Sequence, residues 1–534
     1  MTAAESASPG LARATLIQAA GTTLSRVTGF GRIFAFAYAL GAGRLADTYT
    51  LANNTPNILY ELILGGVLSG TLVPVFVREL RRSPEDGGEE AGWRAVSAVF
   101  TLAVVAAALL ALAFVVVAPL FIRLYTLRNG REVSEGQIAV ATDLLRLFAP
   151  QVFFYGVISV TTAILRARRK FAAPMFAPVL NNLVVIGLFL AYPTIVGTRS
   201  LEAVRNDRGA VLLLGLVTTA GVAAMAIGQF PLRTLRQHLR FVWAPRHPAV
   251  RTILGLSGWT FAFVLANQAA LFVVYLLANS RAGDVTVYFL TYTIFLLPHG
   301  IVSVSVISAI QPELAERWAA GDIDGFRRQI GVGLRTIAVL LVPAAVGYAL
   351  LARPIVSVLL EHGALESAGA SRVDGTLTLM ALGLPVFSGW LFLTSAYQAM
   401  QDTRRLFFLY LIENGVNVVG AIALYAVLGV QGLGLAFALA YAAGTAAALV
   451  DLRRRTGGLD GRTTGSALAR IAAAAAVMAV GVVIVRTFVG SDAGLGAAVR
   501  TGVATVAGVT FYVAGCRVFR VGELRSLRTL RRGA

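Results

Sequence analysis

Apolar stretches of 18 or more residues recur from one end of the chain to the other, and this recurrence limits its folds more than any other feature. Each stretch can cross a hydrocarbon core that takes roughly 20 helical residues. Fourteen are legible, over 13–40, 47–77, 95–122, 138–164, 172–197, 209–232, 251–279, 285–311, 329–352, 373–400, 406–429, 431–451, 466–489 and 493–516. Composition agrees, with 57% hydrophobic and 14% charged residues and a mean hydropathy of +0.74. The expected fold is an all-α polytopic membrane protein with 14 transmembrane helices.

The net charge of +19 would suit a nucleic-acid partner if it were gathered on one folded surface. Instead the Lys and Arg concentrate in alternate loops, the positive-inside pattern, which predicts both termini on the cytoplasmic side and no nucleic-acid partner. The tail RVFRVGELRSLRTLRRGA adds an expected contact with anionic membrane lipids. A single cysteine, Cys516, allows no intrachain disulfide. The first apolar segment is too long for a signal-peptide core and reads as a retained helix.

An internal repeat organises the chain. RLFAPQVFFYGVISVTTAILRARRKFAAPMFAPVLNN aligns with LMALGLPVFSGWLFLTSAYQAMQDTRRLFFLYLIENGVN, pairing Pro150 with Pro385, Arg169 with Arg404 and Asn182 with Asn417 at one offset. Asp47 against Asp284 and Pro74 against Pro312 extend the match more loosely. The offset covers six spans, so both halves enter the membrane in the same direction. Two six-helix bundles related by a pseudo-two-fold axis along the membrane normal are expected, over 1–240 and 241–455, with two extra helices and a basic tail over 456–534. Two such bundles leave a cleft, and the architecture reads as a transporter.

Absences narrow the chemistry. The chain's single lysine, Lys170, lies in no GxxxxGK[ST] loop, no HExxH occurs, and four histidines are scattered. With only short loops available to face a substrate, no enzyme and no cofactor are expected. Transport would then be driven by sodium, protons or the membrane potential, or by removal of product on the far side.

Against this background the segment LSRVTGFGRIFAF stands out, because it places Arg26 and Arg32 inside an apolar run. Each arginine costs roughly 2.5 to 3.5 kcal/mol to insert at a helix centre, so each should face protein or water. One reading pairs them with Asp47 or Glu61 to hold two helices together. The other is an anion site, since two guanidinium forks suit a diphosphate. The residues are about 120° apart around an ideal helix, and Gly29 and Gly31 could supply a bend that brings them together. Asn57, near Asn53 and Asn54, is a candidate for the polar part of a cargo. Glu413, Asn414 and Asn417 form a candidate cation site, with Asn267 or Gln268 as further oxygens. Arg146 should pair with Asp143 three residues before it. His299 beside Pro298 reads as marking a kink.

These stretches, together with GGVLSGTLVPVF, FAAPMFAPVLNN, RPIVSVLLEHG and AYQAMQDTR, resemble in order the signatures of the MurJ/MviN family, within the multidrug/oligosaccharidyl-lipid/polysaccharide exporter superfamily. The resemblance runs over roughly residues 12 to 455. It implies a fourteen-helix flippase of the bacterial cytoplasmic (inner) membrane, taking lipid II, the undecaprenyl-diphosphate-linked peptidoglycan precursor, from inner to outer leaflet. By the same resemblance Arg26 and Arg32 would meet the substrate diphosphate, with Asp47 as the accompanying acid, and cell-wall synthesis proteins become expected partners. Two segments depart from the family pattern. ILYEL puts Tyr60 and Glu61 where an arginine is usual, and TIFLLPHG puts Thr293 and Leu296 where an Arg and a Glu are usual. Arg335 or water would have to replace them, or the cargo is another lipid-linked oligosaccharide or a drug. A non-transporting scaffold of wall synthesis is the reading from a different class.

Overall fold

The computed structural model describes residues 9–63, 69–81, 88–129, 131–229, 237–256 and 258–523, and they are helical with no strand among them. Of the basic tail, the residues after Glu523 lie outside the described ones. Eleven described helices are long and apolar enough to cross a membrane, and a pair bent by 54°, Ser367–Ala381 and Leu384–Ala399, makes a twelfth if taken as one span. The other two expected spans are helical but more polar. They are α1 (Pro9–Leu40), which carries the two arginines, and the Asn-rich α2 (Arg44–Ile63) followed by α3 (Ser69–Leu80).

The chain divides into two compact units, Met1–Gln268 and Ala269–Ala534. The first holds α4 (Gly88–Tyr125), α5 (Arg131–Phe148), α6 (Pro150–Ala167), α7 (Ala172–Ile195), α8 (Leu201–Asn206), α9 (Arg208–Ile227) and α10 (Pro248–Leu256). The boundary falls within α11 (Gly258–Ala278). The second holds α12 (Asp284–Ala319), α13 (Ile323–Leu360), α14 (Ser367–Ala381), α15 (Leu384–Ala399), α16 (Thr403–Leu428), α17 (Val430–Arg455), α18 (Gly461–Phe488) and α19 (Gly494–Val518).

The repeat is visible in how each unit packs. In the first, α9 lies against α5, α6 and α7, while α4 packs on α3, α5 and α6. In the second, α17 lies against α14, α15 and α16, while α13 packs on α12, α14 and α15. Proline starts the matching helices, with Pro150 opening α6 and Pro385 in the first turn of α15, where a missing N–H costs nothing. The turns that follow differ slightly in register. A left-handed residue closes each, Arg169 at φ 57° and Gln401 at φ 56°, so Gln401 and not Arg404 is the structural counterpart of Arg169. Lys170 N–H then donates to Leu165 at 2.8 Å, and Asp402 N–H to Tyr397 at 3.1 Å. The reason is that α15 ends sooner after its proline than α6 does.

The two extra helices pack on α13 around Ile471, Met478, Val482, Ala504 and Tyr512. A Cβ on Gly481 would lie 2.2 Å from the Phe511 ring, so that glycine is needed for the close approach of α18 and α19. The turn between them is held by Asp492, which accepts from Arg500 Nη1 at 2.6 Å and from Arg486 Nη2 at 3.3 Å. Partial burial pushes the Asp492 carboxyl up, but the hydrogen bonds and charges of the two arginines outweigh it and leave it below the ordinary range. A depressed carboxyl contributes stability above its unfolded pKa, about 3.9, and loses it as the pH falls through the folded value. Acidifying from pH 6 to below pH 3 should therefore lower the amide-exchange protection of residues 489–493 in wild type, with rates taken relative to the intrinsic rate at each pH. Asp492→Asn should show the low protection already at pH 6.

Candidate functional site

α1 places Ser25, Thr28, Gly29, Arg32 and Phe36 on one face, by its 3.6-residue period. That face meets α7. Asn182 Nδ2 donates to Ser25 O at 3.1 Å and to Thr28 Oγ1 at 3.0 Å. A Cβ on Gly29 would sit 3.6 Å from Asn182 Nδ2, and one on Gly31 would sit 3.2 Å from Ile186. Gly31, and less tightly Gly29, thus face α7, and α1 runs as one continuous helix from Pro9 to Leu40. Along an unbroken helix Arg26 and Arg32 stay about 9 Å apart in rise and about 120° apart in direction. Arg26 is exposed and Arg32 half-buried.

Arg32 lies within electrostatic reach of Tyr49. One turn on, Phe36 joins an aromatic cluster with Tyr49, Phe189 and Phe148, with ring centroids 5.3 to 5.8 Å apart. The Tyr49 hydroxyl shares a 2.9 Å hydrogen bond with Thr218 on α9. The arginine thus emerges between the polar Asn182 contact and a rigid apolar wall.

In α2 the residues Asp47, Thr50, Asn54, Asn57 and Glu61 follow one another at alternating steps of three and four, which lines them up as a polar seam. Exposure rises along it. Asp47 and Thr50 are buried, Asn54 and Asn57 half-buried and Glu61 exposed. Asn57 Nδ2 donates within the helix to Asn53 O at 3.1 Å, leaving its carbonyl oxygen as the group it can offer outward. Asp47, enclosed one turn into the helix, and Glu61, at the far end, are about 21 Å apart along the axis and belong to different surroundings. The sequence contained this seam, since the spacing alone would have added Thr50 to it.

Arg26, Arg32, Arg146 and Arg335, the four arginines inside the expected spans and away from their ends, separate into two kinds. Arg146 pairs with Asp143 at 3.9 Å, as expected. Arg335 is held by Asp460 at 3.4 Å and Glu523 at 3.6 Å, and it donates to Thr464 at 3.1 Å. It is therefore committed to fastening α18 and the segment after α19 to α13, and it does not stand in for the two missing family positions. Arg26 and Arg32 make no ion pair among the described residues, so the helix-stapling reading of these two has no carboxylate to rest on there.

In the second unit Glu413, Asn414 and Asn417 are all buried on α16. Asn414 Nδ2 donates to Tyr410 O at 2.8 Å. Glu413 Oε2 and Asn417 Oδ1, one helical turn apart, are buried oxygens without a hydrogen-bond partner. Tight packing fixes the carboxylate stem, since a Cβ on Gly444 would come within 3.0 Å of Glu413 Cβ. Two orphaned oxygens in a buried site suit a small cation or a proton.

Other singled-out motifs are structural. Asp402 caps α16, accepting from Arg405 N–H at 3.1 Å, and pairs with Arg455 at 2.9 Å. Arg353 pairs with Glu361 at 3.1 Å and Asp374 at 3.6 Å. His299 Nδ1 is bonded to Ser388 Oγ at 2.9 Å in the core, and Thr293 bonds back to Phe289 O within its own helix. Sequence reasoning missed one ionic node, where Asp284, 2% exposed, is paired with Arg372 and accepts from the Tyr425 hydroxyl at 2.7 Å.

A family model described as "Lipid II flippase MurJ" matches residues 36–503. A Rhizobium tropici protein described as a probable lipid II flippase MurJ is 28% identical over 447 residues, 82% of this chain and 80% of that protein. A Burkholderia cenocepacia protein described as lipid II flippase MurJ is 28% identical over 406 residues, 74% of each chain. Among solved structures, a lipid II flippase MurJ in an inward closed conformation superposes with a TM-score of 0.75 at 19% identity, covering 94% of this chain and 98% of that one. An inward-facing multidrug resistance MATE transporter of the MOP superfamily gives 0.63 at 12% identity, covering 80% and 94%. At these identities the structural likenesses speak for the fold.

Proposed function

The chain belongs to the lipid II flippase MurJ family, and from that premise we propose that it carries lipid II, a polyprenyl-diphosphate-linked cell-wall precursor, across the bacterial cytoplasmic membrane by opening to each side in turn. The observation that carries this reading is the state of α1, where two arginines placed deep in the helix have no carboxylate among the described residues. A guanidinium without a protein anion is available to phosphate oxygens and remains charged when dehydrated. Arg32 would grip the diphosphate from its half-buried position, and Arg26 would meet the head group from the exposed face. The polar seam of α2, through Asn57 and Glu61, would serve the sugar and peptide, while the polyprenyl tail stays in lipid.

The family relation argues for a transporter and not an enzyme. Drive would come from a cation or proton at Glu413, Asn414 and Asn417, or from the membrane potential, which supplies about 2.3 kcal/mol per charge per 100 mV. Both termini would lie in the cytoplasm.

The test is to deplete the protein in its host and measure which leaflet holds lipid II. Trapping in the inner leaflet, relieved by wild type within one induction, is the expected result. Lipid II reaching the outer leaflet at the normal rate without the protein would refute the cargo assignment.

A further inference from the structure

The first unit carries a cavity of about 440 Å³ that the transport reading does not use. Three arginines from three helices line it, Arg146 on α5, Arg205 on α8 and Arg208 at the start of α9, against one carboxylate, Asp143. The rest of the wall is apolar, from Leu147, Val211 and Leu212.

The positive charge gathered there is poorly neutralised. Arg146 reaches Asp143 only at 3.9 Å and donates its Nε–H to Val115 O on α4 at 3.4 Å. Arg205 and Arg208 make no ion pair or hydrogen bond among the described residues. Asp207, between them in sequence, has another task, capping α9 by accepting from Ala210 N–H at 3.1 Å. Three guanidinium groups around one cavity repel one another until an anion enters, and phosphate oxygens can accept from more than one such fork at once.

Depth identifies what carries the phosphate. The apolar span of α9 begins at Arg208, so Arg205 and Arg208 stand where a helix passes from headgroups to hydrocarbon. On the same face of α9, one and two turns on, Leu212 and Leu216 are 38% and 53% exposed, as side chains facing acyl chains would be. Leu147 packs directly on Gly215, where a Cβ would clash with it. Its neighbour Arg146 is thereby set about 10 Å below Arg208 along α9. An exposed arginine at that depth is costly in lipid unless a headgroup anion is drawn to it.

We propose that this cavity binds the phosphate of one anionic phospholipid, separate from the transported cargo, with its acyl chains along the Leu212 and Leu216 stripe. The proposal does not depend on what the protein carries. The experiment is amide exchange of the full chain in nanodiscs of dioleoylphosphatidylcholine with increasing fractions of dioleoylphosphatidylglycerol. Residues 199–210 should become protected as phosphatidylglycerol is added. Each free arginine supplies roughly a fivefold gain in affinity, so Arg205→Gln with Arg208→Gln should raise the fraction needed about 25-fold and so remove the protection. Arg199→Gln is the control, since Arg199 is exposed in the same loop but does not line the cavity, and it should leave the response unchanged. A double variant that keeps the protection would overturn the proposal. So would an equal loss in Arg199→Gln, which marks diffuse attraction to a charged surface, or full protection by inorganic phosphate in pure phosphatidylcholine discs, which marks a site for a soluble anion.

Discussion

Arg32→Ala is expected to abolish rescue of a depleted strain at wild-type abundance, while leaving the thermal unfolding of the purified protein within about 0.5 kcal/mol of wild type. The two expectations come from the same geometry. Arg32 is half-buried, faces the α7 side of α1 and has no carboxylate among the described residues, so its removal leaves no buried anion behind. A bidentate guanidinium contact to a diphosphate, at about 1.5 to 3 kcal/mol per charged hydrogen bond, is worth at least about 3 kcal/mol, or more than a hundredfold in affinity. Arg32→Lys keeps the charge and loses the fork, and should recover only part of the activity. Arg26→Ala should cost less, because Arg26 is exposed and points about 120° away. The measurement is outer-leaflet lipid II in the complemented strain beside the melting curve. A stable Arg32→Ala protein that rescues fully would end the diphosphate assignment. An unstable one would return Arg32 to a structural role.

Arg372→Ala should do the opposite and destabilise the second unit by about 3 to 5 kcal/mol without a direct effect on cargo contacts. Asp284 is almost wholly enclosed, and its negative charge is balanced by Arg372 with a further hydrogen bond from the Tyr425 hydroxyl. Removing the cation leaves a buried carboxylate with one neutral donor, which costs far more than the intact pair contributes. Replacing both charges, as Asp284→Leu with Arg372→Leu, removes the uncompensated charge and should recover most of the loss. Denaturant or thermal unfolding in detergent of the two single variants and the double variant would measure the coupling. Additive losses would show that the two residues do not share one node.

Asp47 and Asp284 were matched by the repeat at sequence level, and the structure gives the match a physical meaning. Both are buried acids in the first turn of a helix, where the positive end of the helix dipole favours a carboxylate. The sequence could show that two acids recur, but not what neutralises either, because Arg372 is 88 residues from Asp284. The glycines of α1 show a similar gap. Gly29 and Gly31 beside two arginines suggested a bend, and the structure adds what the sequence could not show, their neighbours Asn182 and Ile186 on another helix.

Hydropathy and the internal repeat are properties summed along the chain, so the apolar helices and the two-fold recurrence of one packing scheme were legible in the sequence. The spacing of Asp47, Asn57 and Glu61 along one helix belongs to the same class. The fate of each buried charge does not. Arg335 and Arg32 look alike in sequence, both charged within apolar runs, and only the fold reveals that one meets Asp460, 125 residues away, while the other meets no described carboxylate. An ion pair depends on the distance between two points far apart in the chain, and that distance exists only after the helices have packed.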